Sequence, residues 1–116
     1  MAVKKRKNSR QKGKRGELDA AHTLRSLFAW NARRTQQFKG TTDSSDVEVE
    51  QMPEAFWEVK REERLNVCEA LTRAVADAGP KLAILMHRKN KTEWLVTVRL
   101  VDLGRLASLV SNALGG

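Results

Sequence analysis

The chain has 116 residues and a formal net charge of +8 at pH 7, enough for one hydrophobic core but not for two. No apolar run approaches the roughly 18 residues of a membrane span, and the basic N-terminus has no apolar stretch behind it, so it does not read as a secretory signal. A single cysteine excludes an intramolecular disulfide, two histidines are too few for a Cys/His zinc site, and a reducing cytoplasm fits best.

The charge is unevenly placed. Lys4, Lys5, Arg6, Lys7, Arg10, Lys12, Lys14 and Arg15 carry eight positive charges with no acid among them, so the rest of the chain is formally neutral. Residues 1–14 lack periodic apolar positions and are expected to form a mobile basic arm on a single domain spanning 15–116. Such an arm suits a polyanion, because each phosphate that it neutralises releases counterions. A solubilising tail has a similar composition.

From about Gly16 to Ala29 the pattern is helical, with Leu18, Ala21, His22, Leu24, Arg25 and Phe28 at three- and four-residue steps. Asn31 to Thr35 reads as a short strand, followed by a loop carrying glycine and serine. Asp46 to Glu50 alternates as a half-buried strand does. Gln51-Met52-Pro53 makes a tight connection, since proline cannot donate into a ladder, and Ala55 to Lys60 returns to complete a hairpin. Val67, Ala70, Leu71, Ala74, Val75 and Ala78 mark a second helix, ended by Gly79-Pro80. Leu82 to Met86 has the length and composition of a buried strand, Trp94 to Leu100 follows across a polar turn, and Val101 to Leu114 closes as a helix. The order α-β-β-β-α-β-β-α predicts an α/β layer fold, a mixed sheet flanked by helices. Trp30, Trp57 and Trp94 read as core or interface residues, Cys68 as core, and His22 as a structural histidine, buried or solvated.

The chemistry centres on Glu58-Val59-Lys60. On a strand Glu58 and Lys60 share one face, and a carboxylate beside an ammonium suits metal-assisted hydrolysis of a phosphodiester. The triplet alone is a short motif that recurs by chance. Its context sharpens it: Asp46 opens the preceding strand of the same hairpin and can sit beside Glu58, and Glu17 near the first helix start offers a third carboxylate. Asp46 also fits a turn role after Ser44-Ser45, and Glu17 fits a favourable charge near a helix N-terminus. Arg33, Arg34, Lys39, Arg61 and Arg64 flank the proposed site and fit phosphate contacts or plain surface charge. His87, Arg88, Lys89 and Lys91 form a second basic cluster with the same two readings.

Gly16-Glu17 opening a helix, the Gly40-to-Asp46 loop running into Val47, and Trp57-Glu58-Val59-Lys60 together resemble the archaeal-type Holliday junction resolvases of the PD-(D/E)xK nuclease superfamily. The chain is most similar to their small phage and prophage relatives, to which Lys81 to Asn90 and Trp94 to Val98 are also similar. The resemblance covers roughly residues 13–103. It implies a restriction-endonuclease-like α/β fold, in the cytoplasm of a bacterium or phage-infected cell. It also implies a homodimer that nicks two strands of a four-way junction using Mg²⁺, with Mn²⁺ as substitute. Neither a membrane nor a small-molecule organic cofactor is expected. Carried over residue by residue, Glu17, Asp46, Glu58 and Lys60 match the catalytic acids and lysine, the three acids being the metal set. A loop hydroxyl from Thr41, Thr42, Ser44 or Ser45 matches a further functional position. Two departures stand out: Ser45 precedes Asp46 where the motif has proline, and Thr72-Arg73 stand where many relatives have a helical glutamine, with Arg73 a candidate phosphate contact. The same nuclease fold acting on flaps, nicked or duplex DNA, and a non-catalytic nucleic-acid-binding protein, are the alternatives.

Overall fold

The computed structural model describes residues 9–35 and 45–115. Lys4, Lys5, Arg6, Lys7, Lys39, Thr41, Thr42 and Ser44 lie outside the described residues. The elements are α1 (Ser9–Phe28), β1 (Ala32–Arg34), β2 (Val47–Val49), β3 (Ala55–Arg61), α2 (Val67–Ala78), β4 (Leu82–Arg88), β5 (Leu95–Thr97), a 3₁₀ turn (Leu100–Asp102) and α3 (Leu103–Ala113). Five strands form one mixed sheet in the order β1-β2-β3-β4-β5. Only β3 and β4 run parallel; the other neighbours are antiparallel.

Helix α1 begins at Ser9, well before the Gly16 start that apolar spacing predicts. Arg10, Lys12 and Lys14, expected in the mobile arm, therefore belong to this helix, as does Arg15. Straight-chain polar residues such as Lys, Arg and Gln lose little rotamer freedom in a helix, so a polar extension of a packed helix needs no apolar stripe of its own. The helix stops where Ala29 takes a left-handed φ of 57° and its N–H closes on the Arg25 carbonyl at 2.9 Å. The face it buries is Ala20, Ala21 and Leu24, whereas Leu18 is exposed.

Alternation along β3 divides the core in two. Ala55, Trp57 and Val59 join Leu82, Ile84 and Met86 of β4 beneath α1, with Leu106, Leu109, Val110 and Ala113 of α3 packed against the margin. Phe56 and Ala83 face the other way onto Ala74 and Ala78 of α2. Trp30 and Trp57 are buried and Trp94 packs against the first cluster, as core tryptophans should. Trp30 Nε1 donates to the Ala113 carbonyl at 3.1 Å, which pins the end of α3 to the start of β1. His22 is exposed on α1, the solvated form of the structural role expected of it.

Two readings of single residues change. Cys68 is exposed rather than in the core, because the buried stripe of α2 is Ala70, Ala74 and Ala78 and Cys68 falls off it. The last strand is three residues long, Leu95–Thr97, and the turn at Leu100–Asp102 replaces its expected continuation. Helix α2 starts where the Asn66 side chain accepts from the Glu69 N–H at 3.0 Å, so Asn66→Ala is expected to lower stability by about 1 kcal/mol in urea unfolding. Among the described residues, no helix is long and apolar enough to cross a membrane.

Candidate functional site

The site forms where β2 peels away from β3. The pairing of Val47 with Trp57 sets Asp46 opposite Glu58, and residues opposite one another in an antiparallel pair share a face. The Asp46 N–H still bonds the Trp57 carbonyl at 2.9 Å, and its own carbonyl accepts from the Thr35 N–H at 3.0 Å. Beyond that point β3 has no partner strand on its β2 edge, and the Asp46 carboxylate takes over there: its Oδ2 accepts from the Val59 N–H at 2.9 Å. A hydrogen bond through the backbone thus fixes the aspartate next to the Glu58 side chain.

Helix α1 supplies the other wall. Gly16 lies directly on β3, and a Cβ at that position would meet the Arg61 Cβ at 3.3 Å. That close approach brings the next residue, Glu17, into the same cleft as Asp46, Glu58 and Lys60, a space of about 290 Å³ that Gly13 and Arg61 also line. The four residues singled out from sequence therefore converge. A second cleft of about 340 Å³ shares Glu58, Lys60 and Glu62 with the first and extends toward Glu69, Arg73 and Asp77 on or beside α2.

The electrostatics are those of too much negative charge in too little water. Burial pushes the Glu58 carboxyl up to about 8; a hydrogen bond with Asp46 and the Asp46 charge add to the rise, Lys60 opposes it, and Asp77 adds a little. Glu17 is also raised, first by burial and then by Asp46, with Arg34 and Lys60 pulling the other way. Arg34 Nε approaches Glu17 Oε1 to 2.8 Å, but the N–H is not aligned along that line, so the contact is an ion pair rather than a well-formed hydrogen bond. This pairing across α1 and β1 is long-range and gives no local signal in the sequence, and Asp77 facing Glu58 was missed for the same reason.

Several of the other candidates are engaged elsewhere. Arg33 pairs with Glu48 across β1 and β2 at 3.3 Å, as their register requires. Arg88 bonds Asp19 at 3.1 Å and lies 5.5 Å from the Trp94 ring centre, and Trp94 Nε1 donates to the same Asp19 carboxylate at 3.2 Å. His87 Nε2 is 2.8 Å from Thr97 Oγ1, and burial lowers its pKa. These two members of the second basic cluster hold β4 to its neighbours, which leaves Lys89 and Lys91 as its exposed charges. Arg64 is exposed in the bend after β3. Ser45 Oγ donates to the Val47 carbonyl at 3.0 Å, a local turn bond that steadies the approach to Asp46.

Among the described residues, no three His, Cys, Asp or Glu side chains form a ready-made metal-ligand group. The donor chemistry nonetheless fits a hard dication with a small protein share. Asp46 and Glu58 are adjacent carboxylates in a half-buried setting that disfavours the charged form of Glu58, and Mg²⁺ takes one or two carboxylates and completes its shell with water and phosphate. Glu17, which lines the same cleft, is engaged by Arg34. Comparison with family models, with curated proteins and with solved structures finds no match to this chain.

Proposed function

We propose that the chain is a Mg²⁺-dependent endonuclease of restriction-endonuclease-like fold that resolves four-way DNA junctions. The observation that carries the reading is the Asp46 carboxylate, held by the Val59 N–H beside a Glu58 that is pushed up to about 8, with Lys60 lining the same cleft. Perturbed acids in a cleft are the expected mark of a site whose charge is completed by a ligand. Asp46 and Glu58 would hold the ion, with Glu17 reaching it through water. Bound there, a divalent ion neutralises phosphate charge and makes water a better nucleophile.

The chain's own groups account for the rest. Asp46 is oriented by backbone, so its free energy of ordering is met before substrate arrives. Lys60, on the face of Glu58, is placed to hold the attacking water or a phosphate oxygen. Arg61 at the end of β3 lines the cleft and suits a flanking phosphate, a contact that positions DNA without reading its sequence, and Lys14 and Arg15 are exposed on α1 between the cleft-lining Gly13 and Gly16. The family resemblance adds the junction and a second copy of the chain, one for each nicked strand. Leu100 and Val101, at 84% and 80% exposure, are the first residues to examine at such an interface.

Competition tests the substrate. Unlabelled linear duplex is expected to displace a labelled four-way junction only at large excess; equal displacement by both would favour a broader nuclease of the same fold.

A further inference from the structure

The two clefts meet at Glu58, Lys60 and Glu62, so a strand seated at Lys60 would run from one cleft, beside α1, into the other, beside α2. On the α2 side, Arg73 is the cation besides Lys60 among the lining residues. Its position follows from the helix period. Ala70, Ala74 and Ala78 form the buried stripe of α2, and Glu69, Arg73 and Asp77, each one residue earlier, run along its edge beside the cleft. Arg73 Nη2 is 2.7 Å from Glu69 Oε1, one turn away, and the two side chains are 77% and 54% exposed. A pair that exposed is weak and screened by salt, whereas a guanidinium can grip phosphate with two parallel hydrogen bonds. The Glu69 carboxylate is therefore an anion that phosphate can displace.

We infer that Arg73 binds the backbone phosphate next to the scissile one, on the α2 side of Lys60, and that Glu69 holds it in the absence of DNA as an internal competitor. Arg73 is thus a positioning residue, and Glu69 tunes substrate affinity without touching the reaction. The inference rests on the endonuclease reading of the same site.

Junction binding measured against salt concentration, with Ca²⁺ in place of Mg²⁺, separates the parts. Arg73→Ala is expected to weaken binding about tenfold, the loss of one charge-assisted contact, and to lower the salt slope by about 0.9, the share of one phosphate. Arg73→Lys should keep the slope while recovering only part of the affinity, because an ammonium lacks the planar fork. Glu69→Gln should bind more tightly than the parent protein. An Arg73→Ala variant with an unchanged melting temperature and an unchanged slope would overturn the role of Arg73, and a Glu69→Gln variant that binds more weakly would overturn the competition. A parent protein that binds no DNA overturns both this inference and the endonuclease reading, whereas binding with an indifferent Arg73 overturns the inference alone.

Discussion

Replacing Glu58 with Ala is expected to slow junction cleavage about a thousandfold while leaving junction binding almost unchanged. The size follows from losing a ligand to an ion that contributes several kcal/mol, taken as about 4, of transition-state charge stabilisation. Binding should survive because other cations, Arg61 on β3 and Arg73 on α2, remain in the two clefts to hold phosphates. The fold should survive too. Glu58 is a half-buried acid whose charged form is disfavoured first by burial and then by neighbouring carboxylates, so its removal relieves a conflict rather than opening a core cavity. Single-turnover cleavage and equilibrium binding on the same preparation check both halves. Joint loss of cleavage, binding and melting transition would assign Glu58 a structural role instead.

The second large effect is on stability against pH in the metal-free protein. Glu58 titrates near 4.5 when unfolded and at about 8 when folded, so the folded state holds the proton more tightly. Its contribution is fully present below pH 4.5 and is lost as pH rises through about 8. Glu17 is shifted in the same direction and adds to the slope. Mg²⁺ bound at the proposed site would compete with that proton, so the rise in Tm on adding Mg²⁺ should grow across the same window. Glu58→Gln keeps the shape but neither charge nor proton. It should therefore melt with a flatter pH profile than the parent protein, exceed its stability at the alkaline end, and lose most of the response to Mg²⁺. Parallel melting profiles for the two proteins would show that Glu58 is not the titrating group.

Much of the fold was legible because its signals are local. Asp46 to Glu50 and Ala55 to Lys60 alternate with a proline-bearing turn between them, and that pattern yields the hairpin that sets Asp46 opposite Glu58. The Ala70-Ala74-Ala78 stripe likewise marks α2 and the face it buries. What escaped local reading has identifiable causes. The extension of α1 back to Ser9 carries no apolar period to detect. Exposure of Cys68 depends on which helix face meets the sheet, and a thiol fits either. Strand β5 ends early because Leu100–Asp102 turns into α3, where alternation of apolar residues suggests that the strand continues. Within the site, the carboxylates and lysine were legible as a motif, but their electrostatics were not. The Arg34–Glu17 pair and the Asp77 charge come from elements distant in sequence, and Arg73 is tied to Glu69 by a helical spacing that sequence shows without indicating which cleft it borders.

The most direct test of the site as a metal-dependent phosphodiesterase is incubation of a labelled four-way junction and its matched linear duplex with the full chain, in Mg²⁺ and in EDTA. Paired, symmetric nicks in the junction, present with Mg²⁺ and absent with EDTA, are the predicted result. Tight binding to the junction with no cleavage in Mg²⁺ or Mn²⁺ would contradict it and leave a nucleic-acid-binding protein whose Asp46, Glu58 and Lys60 meet without a catalytic purpose.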